Sequence, residues 1–206
     1  MNTDISFPYN KKVPTARNLR ARASSREESP AALPMTMNPV LTRVAVDLTM
    51  PKHHASSATI QPYLSSLQQL MSLDCIFVAL FGADGVRVEW VAASSNRYEH
   101  CNPYELVGTP QPCNAELLHR LSRHQLLDVR DCTHLRGEYA EFSGHMLRLN
   151  LCSLLVGGIV LDECVSGIMV FGSLHRRQGW DMDTHLIMKL MTASYAAGYE
   201  RYQHNH

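Results

Sequence analysis

Eleven histidines and six cysteines are the side chains here best equipped for metal, redox or nucleophilic chemistry, and their spacing gives them little in common. His119 and His124 stand five apart on one predicted helix, which sets them well apart around its axis; paired ligands on a helix stack at i, i+4. His53-His54 fall in a predicted linker, and His204 and His206 at the C-terminal end. No His-Glu-x-x-His occurs, so the histidines read as scattered surface residues and no metal or other cofactor is expected. No Cys-x-x-Cys occurs, which excludes a zinc ribbon or a thioredoxin-type site. Cys75, Cys152 and Cys164 lie in or beside apolar runs, where cysteine behaves as a small hydrophobe. Six cysteines spread over residues 75–164 make no disulfide scaffold in a chain of 206, and free thiols in a reducing cytoplasm are the economical reading. The nucleophile elbow Gly-x-Ser-x-Gly, the P-loop and the dinucleotide fingerprint are all absent.

What remains is a polar set in a poorly patterned stretch. Arg136, Tyr139, His145 and Arg148 precede a strongly apolar hairpin, and supply either contacts to a small ligand or a solvent-facing surface. Trp90, on an alternating segment, is either core or a stacking platform. Gly157-Gly158 inside an apolar run marks either a bulge and close packing or room for a ligand against a sheet.

Composition bounds the elements that must hold these residues. At 206 residues and 23.2 kDa, the chain has room for one domain plus an appendage. Hydrophobic residues at 45% against 18% charged suffice for a core. Nineteen basic residues balance nineteen acidic ones, so no nucleic-acid partner is expected. No apolar run approaches the roughly 18 residues of a membrane span, so no membrane partner is expected either. The opening MNTDISFPYNKK lacks the apolar stretch of a secretory signal. Residues 1–34 hold Lys11, Lys12, Arg17, Arg20, Arg22 and Arg26 against Asp4, Glu27 and Glu28. Residues 1–54 are therefore expected to be a basic, largely disordered tail and linker, or a basic arm for an anionic partner, and 55–206 the folded domain.

Within that domain Ile60, Leu64, Leu67 and Met71 mark one face of a helix capped by Ser57 or Thr59, with Pro62 tolerable only in its first turn. Cys75–Phe81 is a continuous apolar strand, turned at Asp84-Gly85 into the alternation Val86, Val88, Trp90. Asn114 caps a short helix carrying Leu117, Leu118 and Leu121, and a brief strand covers Leu126–Val129. A helical turn is expected around Tyr139–Phe142. Two apolar strands, Ser153–Leu161 and Val165–Phe171, join at Asp162-Glu163. Asp181 or Asp183 caps a final helix striped by Leu186, Leu190, Ala193 and Ala197. Two hairpins flanking a helical insertion argue for an α+β fold.

This order resembles the GAF domain, the small-molecule-sensing module of signalling proteins, over residues 55–203. Its most specific part is SLLVGGIVLDECVSGIMVFGSLHRRQGWDMDTHLIMKLMTASYAAGYERY, with Gly167 at the small residue opening a strand, Trp180 at the aromatic before the last helix and Asp181-Met182-Asp183 at the cap. The resemblance implies an antiparallel sheet with terminal helices on one face and a helical and loop lid, residues 95–148, on the other. A ligand would then lie between sheet and lid, with Trp90, Arg136, Tyr139, His145 and Arg148 as its expected contacts. It also implies a non-enzymatic, bacterial-type signalling or regulatory domain that binds a small molecule or a partner protein and acts through its terminal helices. A homodimer through helices 56–72 and 181–203 is expected, with an output domain or another protein as partner, and the chain either acts alone or is a segment of a longer protein. Cys132-Thr-His134 is similar to the Cys-His pair by which some relatives hold a bilin, with a Thr intervening. Others reduce free methionine sulfoxide with loop thiols, for which Cys101, Cys113 and Cys132 would serve. A third reading is a ligand-free dimerisation domain whose pocket is closed by Tyr139, Phe142 and Met146.

Overall fold

The computed structural model describes residues 38–205, and the tail expected over residues 1–34 lies outside them. Five antiparallel strands form one sheet in the order β2-β1-β5-β4-β3: β1 Cys75–Phe81, β2 Val88–Ser95, β3 Leu127–Val129, β4 Ser153–Leu161 and β5 Cys164–Ser173. The three central strands are buried on both faces, as their unbroken apolar runs require. The hairpin turn between β4 and β5 holds Asp162 and Glu163 at φ 46° and 65°, the left-handed geometry that matches strand twist.

One face of the sheet carries helices from both ends of the domain: α1 Pro39–Leu48, α2 Ser57–Leu70 and α5 Met182–His204. Ile60, Leu64 and Leu67 of α2 are fully buried against it, as their spacing predicts. The cap of α2 is Ser56, whose side chain and that of Thr59 bond reciprocally to each other's backbone N–H, so the expected caps, Ser57 and Thr59, fall one and three residues late. Pro62 lies beyond the first turn, on the exposed side of the helix. Asp181 caps α5, accepting from Thr184 N at 2.7 Å, and Trp180 is buried just before it with the Arg177 guanidinium 4.5 Å over its ring.

The expected linker over residues 35–54 is corrected by α1. Asn38 accepts from Val40 N at 2.9 Å, Pro39 takes the first helical position, and Val44, Ala45 and Leu48 are buried. A tight helical turn, Pro51–His54, then carries His54 beneath α5. Gly198 makes this possible: a Cβ there would run into the Leu48 carbonyl and the His54 ring. Gly198 thus serves close contact within the chain.

The other face is roofed by α3 Ala115–Ser122 and α4 Ala140–Arg148 with the segments around them. Asn114 caps α3 as read, accepting from Leu117 N at 2.9 Å. The helical turn expected at Tyr139–Phe142 extends to nine residues in α4.

Candidate functional site

Sequence reasoning places a ligand between the lid and the sheet, and that space is filled by the chain's own side chains. Phe142 and Met146 of α4 and Leu117 and Leu121 of α3 are all buried to within 1% exposure. They pack in one apolar cluster with Phe77, Val91, Val156, Ile168 and Val170 of the sheet, and half-buried Tyr139 joins it from the edge. Gly157 and Gly158 resolve in favour of close packing. A Cβ on Gly157 would sit 2.7 Å from Thr192 Cγ2 of α5, and one on Gly158 would sit 3.0 Å from Leu121 Cβ and 3.1 Å from its carbonyl. The paired glycines let helices on both faces touch β4.

The five expected contact residues do not converge. Trp90 packs with the core on the terminal-helix face, opposite the lid. The cause is a register shift: Leu80 faces Trp90 but Phe81 faces Val88, so Glu89 is an extra residue. That bulge puts Val88 on the lid side and Trp90 on the other, where strict alternation gives them one face. Arg136 is exposed at the start of the turn before α4, and Tyr139 closes that turn.

His145 and Arg148, one helical turn apart on α4, do meet. Arg148 Nη2 donates to His145 Nδ1 at 2.9 Å, which leaves the imidazole proton on Nε2. Burial of the ring, then the Arg148 charge, lowers the His145 pKa, with Glu141 opposing. Together with Glu105, Leu106, Thr109, Pro110 and Leu149 the pair lines a cleft of about 330 Å³ on the outer side of the lid. It offers a guanidinium, a carboxylate and an apolar floor, enough to hold a small polar molecule at the surface. Glu105 and Thr109 are its additions; no periodicity marks them, because they sit on an irregular segment after Pro103.

The thiols are arranged for packing. Cys101, Cys113 and Cys132 are buried and free. Burial pushes the Cys113 thiol up to about 12 and is the first cause of the same value at Cys132, followed by the neighbouring Cys152 and Asp131. Cys101 is hydrogen-bonded to Cys75, and that bond, then burial, raises the Cys75 pKa. His134 is exposed and turned to Asp131, its Nδ1 3.5 Å from the carboxylate, while Cys132 is fully buried. Asp131 also holds Arg176 at 2.8 Å and caps its own turn through Thr133, which lowers its pKa. Among the described residues no group of three or more His, Cys, Asp or Glu is placed to hold a metal ion, and no helix is long and apolar enough to cross a membrane.

The terminal helix is the other unusual element. Met188, Met191 and Tyr195 are fully buried on its inner side. Directly opposite, Met182 is 73% and Leu186 49% exposed, with Ala193 exposed and Ala197 half-buried on the same side, while Leu190 is half-buried and packs against the inner cluster. In α2 the apolar face is spent on the sheet, and Gln61, Pro62, Ser66 and Gln69 face outward.

No protein-family model matches the chain, and no curated protein matches it. Solved structures do. The phycocyanobilin-bound GAF domain from a cyanobacterial phytochrome superposes with a TM-score of 0.63 at 15% identity, over 81% of this chain and 95% of that one. The GAF domain of a phosphoenolpyruvate-protein phosphotransferase from Coxiella burnetii gives 0.59 at 12% identity, over 81% and 94%. The free methionine-R-sulfoxide reductase from Neisseria meningitidis, in complex with its substrate, gives 0.58 at 13% identity, over 81% and 90%. Sensor domains and an enzyme share this architecture, so the likeness speaks for the scaffold and leaves chemistry to the residues. The chain has a GAF-like α+β fold.

Proposed function

We propose that this chain is a non-enzymatic signalling domain of the GAF type, working in a reducing cytoplasm, that acts by dimerisation through α5. It would have no ligand enclosed beneath its lid. The observation that carries this reading is α5 itself, whose N-terminal half buries Met188 and Met191 and exposes Met182 and Leu186 on the opposite side. Large apolar side chains left in water on one side of a helix favour a covering partner. The packed lid argues in the same direction, because a domain whose interior cavity is filled has its surface left to signal with. The reductase reading asks for accessible thiolates, and Cys101, Cys113 and Cys132 are buried, two of them with strongly raised pKa values. The bilin reading asks Cys132 and His134 to face one pocket, and one is buried while the other is exposed.

Cross-linking tests the reading. Leu186→Cys in a Cys164→Ser background, oxidised gently, is expected to give covalent dimers in high yield. Arg43→Cys, on the exposed side of α1, is expected to give none. Equal yields from both would refute an interface centred on α5.

The cleft beside His145 and Arg148 favours a second reading, a small molecule held at the surface of the lid. There Arg148→Ala would abolish a ligand-induced rise in melting temperature and leave the ligand-free melting temperature unchanged.

A further inference from the structure

The cleft on the outer side of the lid has two walls of opposite hydrogen-bonding character. On the α4 wall the polar groups are donors. Arg148 has only N–H groups to offer, and its bond to His145 Nδ1 leaves the imidazole proton on Nε2. That Nε2 has no partner among the described residues, and it is not one of the side-chain atoms sealed from solvent without one. His145 is 7% exposed, so a buried ring presents its N–H to the cleft it lines.

The other wall offers acceptors. Glu105 is a carboxylate, and the Thr109 hydroxyl spends its proton on the Leu106 carbonyl at 2.6 Å, which leaves its oxygen lone pairs. This segment is tied to β2. Val88 N donates to the Thr109 carbonyl at 3.0 Å, Gly108 N, at φ 80°, donates to the Val88 carbonyl at 2.8 Å, and Arg87 Nη1 donates to the Gly108 carbonyl at 3.1 Å. The α4 wall is anchored by Phe142 and Met146 in the lid core. Arg148 and Glu105 thus bring opposite charges to one cleft, and neither forms an ion pair with the other or with any further charge among the described residues. Leu106 and Leu149, both 3% exposed, and Pro110 supply the apolar floor.

A lone anion in this cleft meets Glu105, and a lone cation meets Arg148; a molecule with both charges satisfies both walls. We propose that the cleft binds a free amino acid as its zwitterion, with the carboxylate on Arg148 and His145 Nε2–H and the ammonium on Glu105 and Thr109 Oγ1. Its side chain is small and apolar and rests on Leu106, Pro110 and Leu149. The proposal rests on the second reading above, a small molecule at the surface of the lid, and gives that molecule its class. At about 330 Å³ the cleft stands at the small end of ligand pockets, roughly 300–1,000 Å³, which suits an amino acid better than a nucleotide. It lies on the lid face of the sheet and α5 on the other, so binding does not depend on the dimer.

The test titrates the full chain at pH 7 with each standard L-amino acid while the amide resonances of Leu106, Thr109, Arg148 and Leu149 are followed. Valine and leucine are expected to shift these amides most. For the best binder, Glu105→Gln and Arg148→Ala, both at exposed positions, should each weaken binding roughly tenfold or more. N-acetylation or amidation of the ligand, each of which removes one of its charges, should do the same. Leu186→Arg should leave the affinity unchanged. Equal binding of the N-acetyl derivative, or undiminished binding by Glu105→Gln, would overturn the zwitterion and leave some other ligand at the cleft. No shift with any amino acid would also overturn it. Shifts of the same amides with acetate or inorganic phosphate would then preserve the surface-ligand reading alone, and no response to these would remove that reading too.

Discussion

Cys132 and His134 stand two residues apart in sequence and meet opposite surroundings, one inside the lid core and one in solvent. That contrast sets the chemistry available to the thiols. Thiolate is the reactive form, and burial holds the acid form at Cys113 and Cys132. Cys164, at the start of β5, is exposed. In native buffer an aromatic disulfide reagent should therefore label Cys164 first, and Cys164→Ser should remove the fast phase. Cys75, Cys101, Cys113 and Cys132 should react only on denaturation, and fast labelling of Cys113 or Cys132 would restore the reductase reading. Residue roles set by local bonding were legible in the sequence: the caps Asn114 and Asp181 and the turn at Asp84-Gly85 satisfy backbone groups within a few positions. The face of Trp90 was not, because the bulge at Glu89 comes from pairing with β1, which no local pattern encodes.

Among the elements, α1 and the tight turn after it were the least legible. Leu41, Val44, Ala45 and Leu48 do recur at helical spacing, but over ten residues that include three Val and a Thr the pattern is short and its propensity weak. Packing on α5 decides the matter. His54 is 4% exposed there, donating through Nε2 to the Leu48 carbonyl at 2.7 Å, with Nδ1 unpartnered. The carbonyl is an acceptor only, so Nε2 carries the proton and Nδ1 is bare. Tyr195 and Tyr199 face the ring from α5, and His53 adjoins it in the turn. Burial lowers the His54 pKa from the ordinary value of 6.5, partly offset by the Leu48 bond. The unfolded chain then binds the proton more readily than the folded one. Stability is complete above pH 6.5 and falls as pH drops toward the folded pKa, with a slope of at most about 1.4 kcal/mol per pH unit from this group. Denaturant unfolding at pH 7 and pH 5 should show that loss, and His54→Gln, which keeps a donor for the Leu48 carbonyl, should reduce it. An unchanged pH dependence in His54→Gln would show that the ring is not the titrating group.

At the scale of the whole molecule the sequence gives the order of elements and the layers, because two apolar hairpins around a helical insertion leave few α+β arrangements. The state of the space under the lid was beyond it. Whether Phe142 and Met146 line a cavity or fill one depends on how closely α3 and α4 approach the sheet, a distance set by Gly157, Gly158 and the facing side chains together. The same holds for α5, whose stripe Leu186, Leu190, Ala193 and Ala197 was evident while the outward direction of Leu186 and Ala193 was not. That direction makes the dimer the central claim, and sedimentation velocity of the intact chain from 1 to about 100 μM, beside Leu186→Arg, tests it most directly. A species near twice 23.2 kDa for the wild type and one near 23.2 kDa for the variant, with unchanged circular dichroism, is the predicted result. A single 23.2 kDa species for the wild type across that range would contradict the account.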